Sequence, residues 1–248
     1  MISTILQYST IDFRFLDANL KQLSKFSNEI IIPICTHLFN GEEENFNLLV
    51  KSKEIIKKYP LARVKVYEWR GIKNNKGYYN NVGRKLGTDL SQNEWLYFVD
   101  GDEITDDNFI PWFEKIKNTD YGFQLTSYWY FREPIYQATK TEAQGLLLKK
   151  KYCNWQLNVR EERDQMHHLP NFIHGERQLI FGLDGKPMVH HYSWVRSKED
   201  MLRKVKNWSH CLDRDWVSQV NEEFSRPFNG TDFVHGYNYN IVDNYFNI

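Results

Sequence analysis

Cysteine is scarce in this chain. Cys35, Cys153 and Cys211 are all there are in 248 residues. They are odd in number, far apart and match no metal-ligand spacing, which excludes a disulfide framework and a cysteine zinc site and reads as free thiols in a reducing compartment. Excess charge is also missing: 32 Lys and Arg balance 32 Asp and Glu, so nothing pulls the chain as a whole toward nucleic acid or an anionic membrane. No basic patch with interleaved aromatics stands out either. No apolar run approaches the roughly 20 residues of a membrane span. The opening MISTILQYST has no basic segment and too short an apolar run for a signal peptide. A soluble, cytoplasmic protein is expected, and the Asn-x-Ser/Thr triplets at Asn207 and Asn229 then read as chance matches. Internal repeats, low-complexity stretches and flexible linkers are absent from the sequence.

Aromatic and apolar residues are plentiful, at 16% and 41% of the chain, enough for a sizeable core. Residues 2 to 8 read as a short strand, and 12 to 26 place Leu16, Leu20 and Leu23 on one helical face. EIIIPI, 29 to 34, is the continuous β-branched run of a strand buried on both faces, with Pro33 expected to end it. A helix through Phe46, Leu49, Val50 and Ile55, a strand over 62 to 69, a helix over 77 to 90 and a strand over 94 to 100 follow. Strands alternating with helices predict an α/β fold with a mostly parallel, doubly wound sheet, in which ligands bind beyond the C-terminal strand ends.

The second half is less regular. Strands are expected over 121 to 131, 145 to 150 and within 185 to 195, around a polar, His-rich segment at 160 to 178. Ser197 reads as an N-cap. Behind it Met201, Val205, Trp208, Leu212, Trp216 and Val220 form one continuous helical stripe that suits core packing, with the Lys and Arg of that helix on its solvated face.

The chemistry concentrates at WLYFVDGDE, 95 to 103, where an apolar strand runs into acids. Asp100 and Asp102, one residue apart at a strand end, suit a shared hard cation, Mn²⁺ or Mg²⁺, that leaves open positions for phosphate oxygens. Gly101 between them permits a tight turn and close approach of a ligand. An EF-hand is excluded, because a loop starting at Asp100 has Thr105 where Gly is required and Pro111 where Glu is required.

Phe98-Val99-Asp100-Gly101-Asp102 resembles the hydrophobic-Asp-x-Asp strand end of GT-A-fold nucleotide-sugar glycosyltransferases of the family-2-like group. The resemblance implies a GT-A catalytic domain over 1–195. Within it, 1–110 would bind the nucleotide sugar and 111–195 the acceptor, and 196–248 would be a helical extension packed on it. It further implies that Asp100 and Gly101 face the donor and Asp102 the metal. Gly83-Arg84-Lys85-Leu86-Gly87 is similar to the family's helix start near the donor diphosphate, with Lys85 where Asn is usual, and Arg84 carries over. Tyr8, Ser9 and Asp12 resemble the first nucleoside contacts. Ile34-Cys35-Thr36-His37 stands where many members have Asp-Asp-Gly-Ser.

Val189-His190-His191-Tyr192-Ser193-Trp194 resembles the late strand from which such enzymes take a third metal ligand. Strand alternation lets only one of the two histidines face the cleft, and the resemblance favours His191 over His190. An inverting transfer needs a carboxylate base, and Glu161, Glu162, Asp164 and Glu176 are candidates, with Asp164 preferred. Trp129, Trp155 and His168 are candidate acceptor contacts. The implied partners are a UDP- or GDP-sugar donor and a glycan, lipid or protein hydroxyl as acceptor. Two alternatives remain: a glycan-binding or scaffolding protein on a degenerate transferase fold, and a sugar nucleotidyltransferase. Residues 3 to 15 hold no glycine, so the glycine-rich phosphate loop of the latter is missing.

Overall fold

A computed structural model describes residues 1–69, 76–120, 122–153 and 180–248, with the backbone alone over 76–80. The first half follows the expected alternation. Its elements are β1 (Ile2–Gln7), α1 (Leu16–Leu23), β2 (Glu29–Cys35), α2 (Phe46–Ile56), β3 (Ala62–Tyr67), α3 (Lys76–Leu90) and β4 (Trp95–Asp100). A short strand β5 (Glu103–Thr105) and helix α4 (Phe109–Ile116) follow. The second half holds β6 (Phe123–Phe131), β7 (Glu133–Lys149), β8 (Val189–Trp194), α5 (Lys198–Asn207), α6 (Trp216–Glu223) and β9 (Tyr239–Ile241).

The strands form one sheet in the order β3-β2-β1-β4-β7-β6-β8-β5, with β9 beside β7. β3, β2, β1 and β4 are parallel, and β6 and β8 share their direction across the antiparallel β7, so the sheet is mostly parallel and Rossmann-like, of the GT-A type. Period-two alternation sends side chains to both faces. Ile2 and Leu6 of β1, with Trp95, Tyr97 and Val99 of β4, meet the apolar stripes of α1, α2 and α4. Ile5, Leu96 and Phe98 point the other way. There α3 crosses β1 so closely that a Cβ on Gly87 would stand 2.6 Å from Ile5 Cγ2.

Five expectations need correction. β2 does not stop at Pro33. The Ile30 and Thr36 N–H groups donate to Leu61 and Tyr67, so even positions bond toward β3 and Pro33 faces β1. Pairing with β1 ends at Ile31, so the N–H that proline lacks has no ladder partner to lose. The segment over 12 to 26 is two pieces, a 3-10 turn over Thr10–Phe15 and then α1. The strand expected over 145 to 150 is the end of a 17-residue β7 that hairpins with β6 through Arg132, at φ 60°. Its first two-thirds is half-exposed, which hid it from an apolar reading.

The single long helix expected after Ser197 is two. Trp208 leaves helical geometry at ψ 169°, and Asp215 caps a new helix by accepting from the Ser218 N–H. Leu212 lies between them, 74% exposed. Met201, Val205, Trp216 and Val220 still pack together, on Trp129, Phe131 and Trp194. The C-terminal segment is not purely helical, because β9 returns to pair with β7.

Candidate active site

Strand order reverses between β1 and β4, the position where open α/β sheets bind ligands beyond their strand ends. Gln7 and Asp100 are register partners there, so the turns after both strands open into one cleft of about 540 Å³. The acidic turn after β4 is built, not loose. The Asp100 N–H donates to Glu103 Oε2 at 3.0 Å. Asn19 of α1, fully buried, donates to the Gly101 and Glu103 carbonyls at 3.2 and 3.0 Å. Gly101 is required, since a Cβ would stand 2.8 Å from Asp12 Cβ.

Tyr8, Ser9, Asp12, Arg84, Asp100, Asp102, Trp129 and His191 all line this cleft. Arg84 Nη2 donates to Asp100 Oδ1 at 2.9 Å, while Arg84 Nε and Nη1 are buried without a hydrogen-bond partner among the described residues. Ser9 caps the 3-10 turn by accepting from the Ile11 N–H. The Tyr8 hydroxyl bonds Ser52 Oγ at 2.7 Å, and burial pushes its pKa up. Trp129 is 4% exposed, its ring in edge contact with His191 and His235, so little of it is free to stack on a sugar. Asp164, Trp155 and His168, with Glu161, Glu162 and Glu176, lie outside the described residues.

Alternation turns the two histidines apart. His191 faces the cleft with Nε2 3.5 Å from Asp102 Oδ1. His190 points into the opposite side, with Nε2 3.2 Å from Asp106 Oδ2 and Nδ1 2.7 Å from the Tyr130 hydroxyl. Burial pulls the His191 imidazole down, but Asp102 more than offsets this and the net shift is upward. At His190 burial wins over Asp106 and the shift is downward.

Two residues that matter here were not expected in the site. Lys204 of α5 is buried and donates to Asp102 Oδ2 at 2.8 Å, Ser193 O at 2.9 Å and Ser193 Oγ at 2.6 Å. Arg196, just after β8, reaches Asp12 Oδ1 at 2.6 Å and Asp102 Oδ2 at 3.2 Å. Burial raises the Asp102 carboxyl, and Lys204, His191 and Arg196 together bring it well below the ordinary value. Asp12 goes the other way, up to about 6, through burial and the Asp102 charge against the lowering by Arg196. Lys204 is thus not on a solvated face. It stands between Met201 and Trp208 on the apolar stripe itself, at the three- and four-residue spacing of the buried side.

This arrangement does not fit a divalent cation as it stands. Asp102 Oδ2 already carries two side-chain cations, and Asp100 faces Arg84. Asp102 Oδ1 and His191 offer two ligands, and among the described residues no three acidic, Cys or His groups are placed to hold an ion. A divalent charge would also sit beside two buried cations.

No family model and no curated protein matches the chain. Solved structures with a similar backbone course include HddC from Yersinia pseudotuberculosis, at 11% identity and TM-score 0.45, covering 82% of this chain and 97% of that one. Another is S. aureus TarS 1-349 in complex with UDP-GlcNAc, at 14% identity and TM-score 0.32, covering 53% of this chain and 34% of that one. Likenesses this loose say nothing of chemistry. Among the described residues no helix is long and apolar enough to cross a membrane.

Proposed function

We propose that the protein is a glycosyltransferase that moves a sugar from a nucleotide-diphosphate donor to an acceptor hydroxyl. The observation that carries this reading is the Asp100-Gly101-Asp102 turn at the sheet's switch point, with Arg84 on Asp100 and two guanidinium nitrogens left to donate. Guanidinium N–H groups match phosphate oxygens, and a buried one without a partner is costly. In the reaction the acceptor oxygen bonds the anomeric carbon as the bond to the diphosphate breaks, its electron pair leaving with the phosphate oxygen. The acceptor proton passes to a carboxylate base, for which Asp164 stays the candidate in an inverting transfer. A sugar nucleotidyltransferase is disfavoured, because β1 runs through Ser9 straight into a 3-10 turn in place of a glycine-rich phosphate loop.

The test is a calorimetric titration of UDP, GDP and dTDP in buffer containing Mn²⁺, on wild type and Asp100→Asn. Binding of one nucleotide, weakened about tenfold or more in the variant, supports the reading. Silence from all three sinks it and favours the glycan-binding alternative.

A further inference from the structure

Lys204 is an unusual element of this cleft. Its stem lies on an apolar helix stripe, its ammonium is inside the wall of the site, and all three of its N–H donors are used. Burying such a charge is expensive unless geometry and partners are fixed. Here they are: Ser193 lies at the end of β8, and Asp102 is clamped by the turn after β4. The partners are also the carboxylate that a cation-binding acidic pair would present to its ion. Arg196 closes the same oxygen from the other side while holding Asp12. Every cleft carboxylate of the Asp12, Asp100 and Asp102 set therefore has a side-chain cation already, at 2.6 to 2.9 Å.

We infer that Lys204 and Arg196 occupy the place of the divalent cation, and that the cleft binds a nucleoside diphosphate group without metal, Arg84 contacting its oxygens. This rests on the transferase reading above and deepens it. Fixed side-chain cations supply what a metal would at the acidic turn: a counter-charge that lets the diphosphate sit there and depart with the electron pair. Arg84, in the cleft wall, has two buried donors without a partner among the described residues and the planar geometry for phosphate. Lys204 and Arg196, whose donors point to Asp102 and Asp12, act by position and charge. They keep the acidic turn neutralised, so that an incoming diphosphate does not meet two bare carboxylates.

Two measurements on the wild-type protein decide it. The first titrates UDP, GDP and dTDP in excess EDTA and again in Mn²⁺. The second follows the electron-spin-resonance signal of free Mn²⁺ as protein is added without nucleotide. The inference expects one nucleotide to bind with affinities within about threefold in the two buffers, and the free Mn²⁺ signal to stay unchanged. Binding in Mn²⁺ only, or loss of the Mn²⁺ signal, overturns it while leaving the transferase reading intact. Binding in neither buffer overturns both. Lys204→Met adds a check where it folds: affinity in EDTA should fall about tenfold, with Mn²⁺ recovering part of it. An unchanged affinity in EDTA would count against the inference, and Arg84→Gln offers a second variant whose intact binding would do the same.

Discussion

Asp102 distinguishes a cation ligand from a structural anchor. A carboxylate that serves only to ligate an ion can be removed from the apo protein at little cost, sometimes with a gain. Here its removal leaves Lys204 and part of Arg196 without their anion inside the protein. Breaking a buried pair in this way costs about 3–5 kcal/mol. Asp102→Ala should therefore unfold in urea at a clearly lower midpoint than wild type, with the m-value unchanged, and without any metal present. A variant as stable as wild type would mean that the two cations find other partners. The acidic pair was legible in the sequence as an apolar strand running into acids, whereas Arg84 and His191 were picked out by the resemblance and lie inside α3 and β8, not at their ends. Lys204 and Arg196 were not used, although one signal was present. A lysine at the fourth position of a Met201-to-Trp208 stripe falls on the buried face, and a charge there implies a buried counter-charge. Which counter-charge is a matter of tertiary contact, 102 positions away in the chain, and no local pattern states it.

At the scale of elements, the site depends on how α3 is laid across the sheet. Arg84 reaches Asp100 only because the helix sits close on β1, and Gly87 makes that approach possible. Gly87→Ala puts a methyl 2.6 Å from Ile5 Cγ2, a fully buried side chain with nowhere to move. Overpacking of this kind costs about 1–3 kcal/mol even though alanine is the better helix former. The variant should show a lowered thermal midpoint, together with weaker nucleotide binding as Arg84 shifts from Asp100. A rise in stability would show that α3 can lift off freely. The alternating first half of the fold was readable since β1, β2 and β4 are continuous buried runs and β3, at the sheet edge, alternates between covered and exposed positions. α4 and β7 were less so. No element was expected at α4, which carries Pro111 in its first turn. β7 spends most of its length half-exposed, so its residues carry neither an apolar run nor clean alternation. The break between α5 and α6 was hidden because Trp208 and Trp216 keep the stripe's spacing across it while packing edge to face at 5.3 Å.

For the whole molecule, acid stability is a property to which the two buried histidines contribute in opposite senses. His190 is buried among Asp106, Tyr130, Tyr128, Tyr192 and Tyr245. A neutral imidazole fits this setting. Nε2–H donates to the Asp106 carboxylate, Nδ1 accepts from the Tyr130 hydroxyl, and that hydroxyl accepts from Gln137 Nε2 at 2.7 Å. Burial holds the His190 pKa below the ordinary 6.5 in spite of Asp106. As pH falls through 6.5 the unfolded chain takes up this proton first, so it binds more protons than the native state and stability falls. Asp106 acts in the same direction at lower pH, its carboxyl held below 3.8 by the hydrogen bonds from His190 and Asn108, which outweigh its burial. His191, with its pKa raised, contributes in the reverse sense: its share is present in acid and is lost as pH rises past its folded value. The net slope of wild type mixes these, so the informative quantity is the difference between two proteins. Urea unfolding at pH 7.5 and 5.5 should show wild type losing more stability on acidification than His190→Gln, which keeps hydrogen-bonding capacity and cannot take up the proton. Equal losses in the two proteins would mean that His190 charges in the native state without penalty and that the Tyr130 and Asp106 network rearranges to receive it.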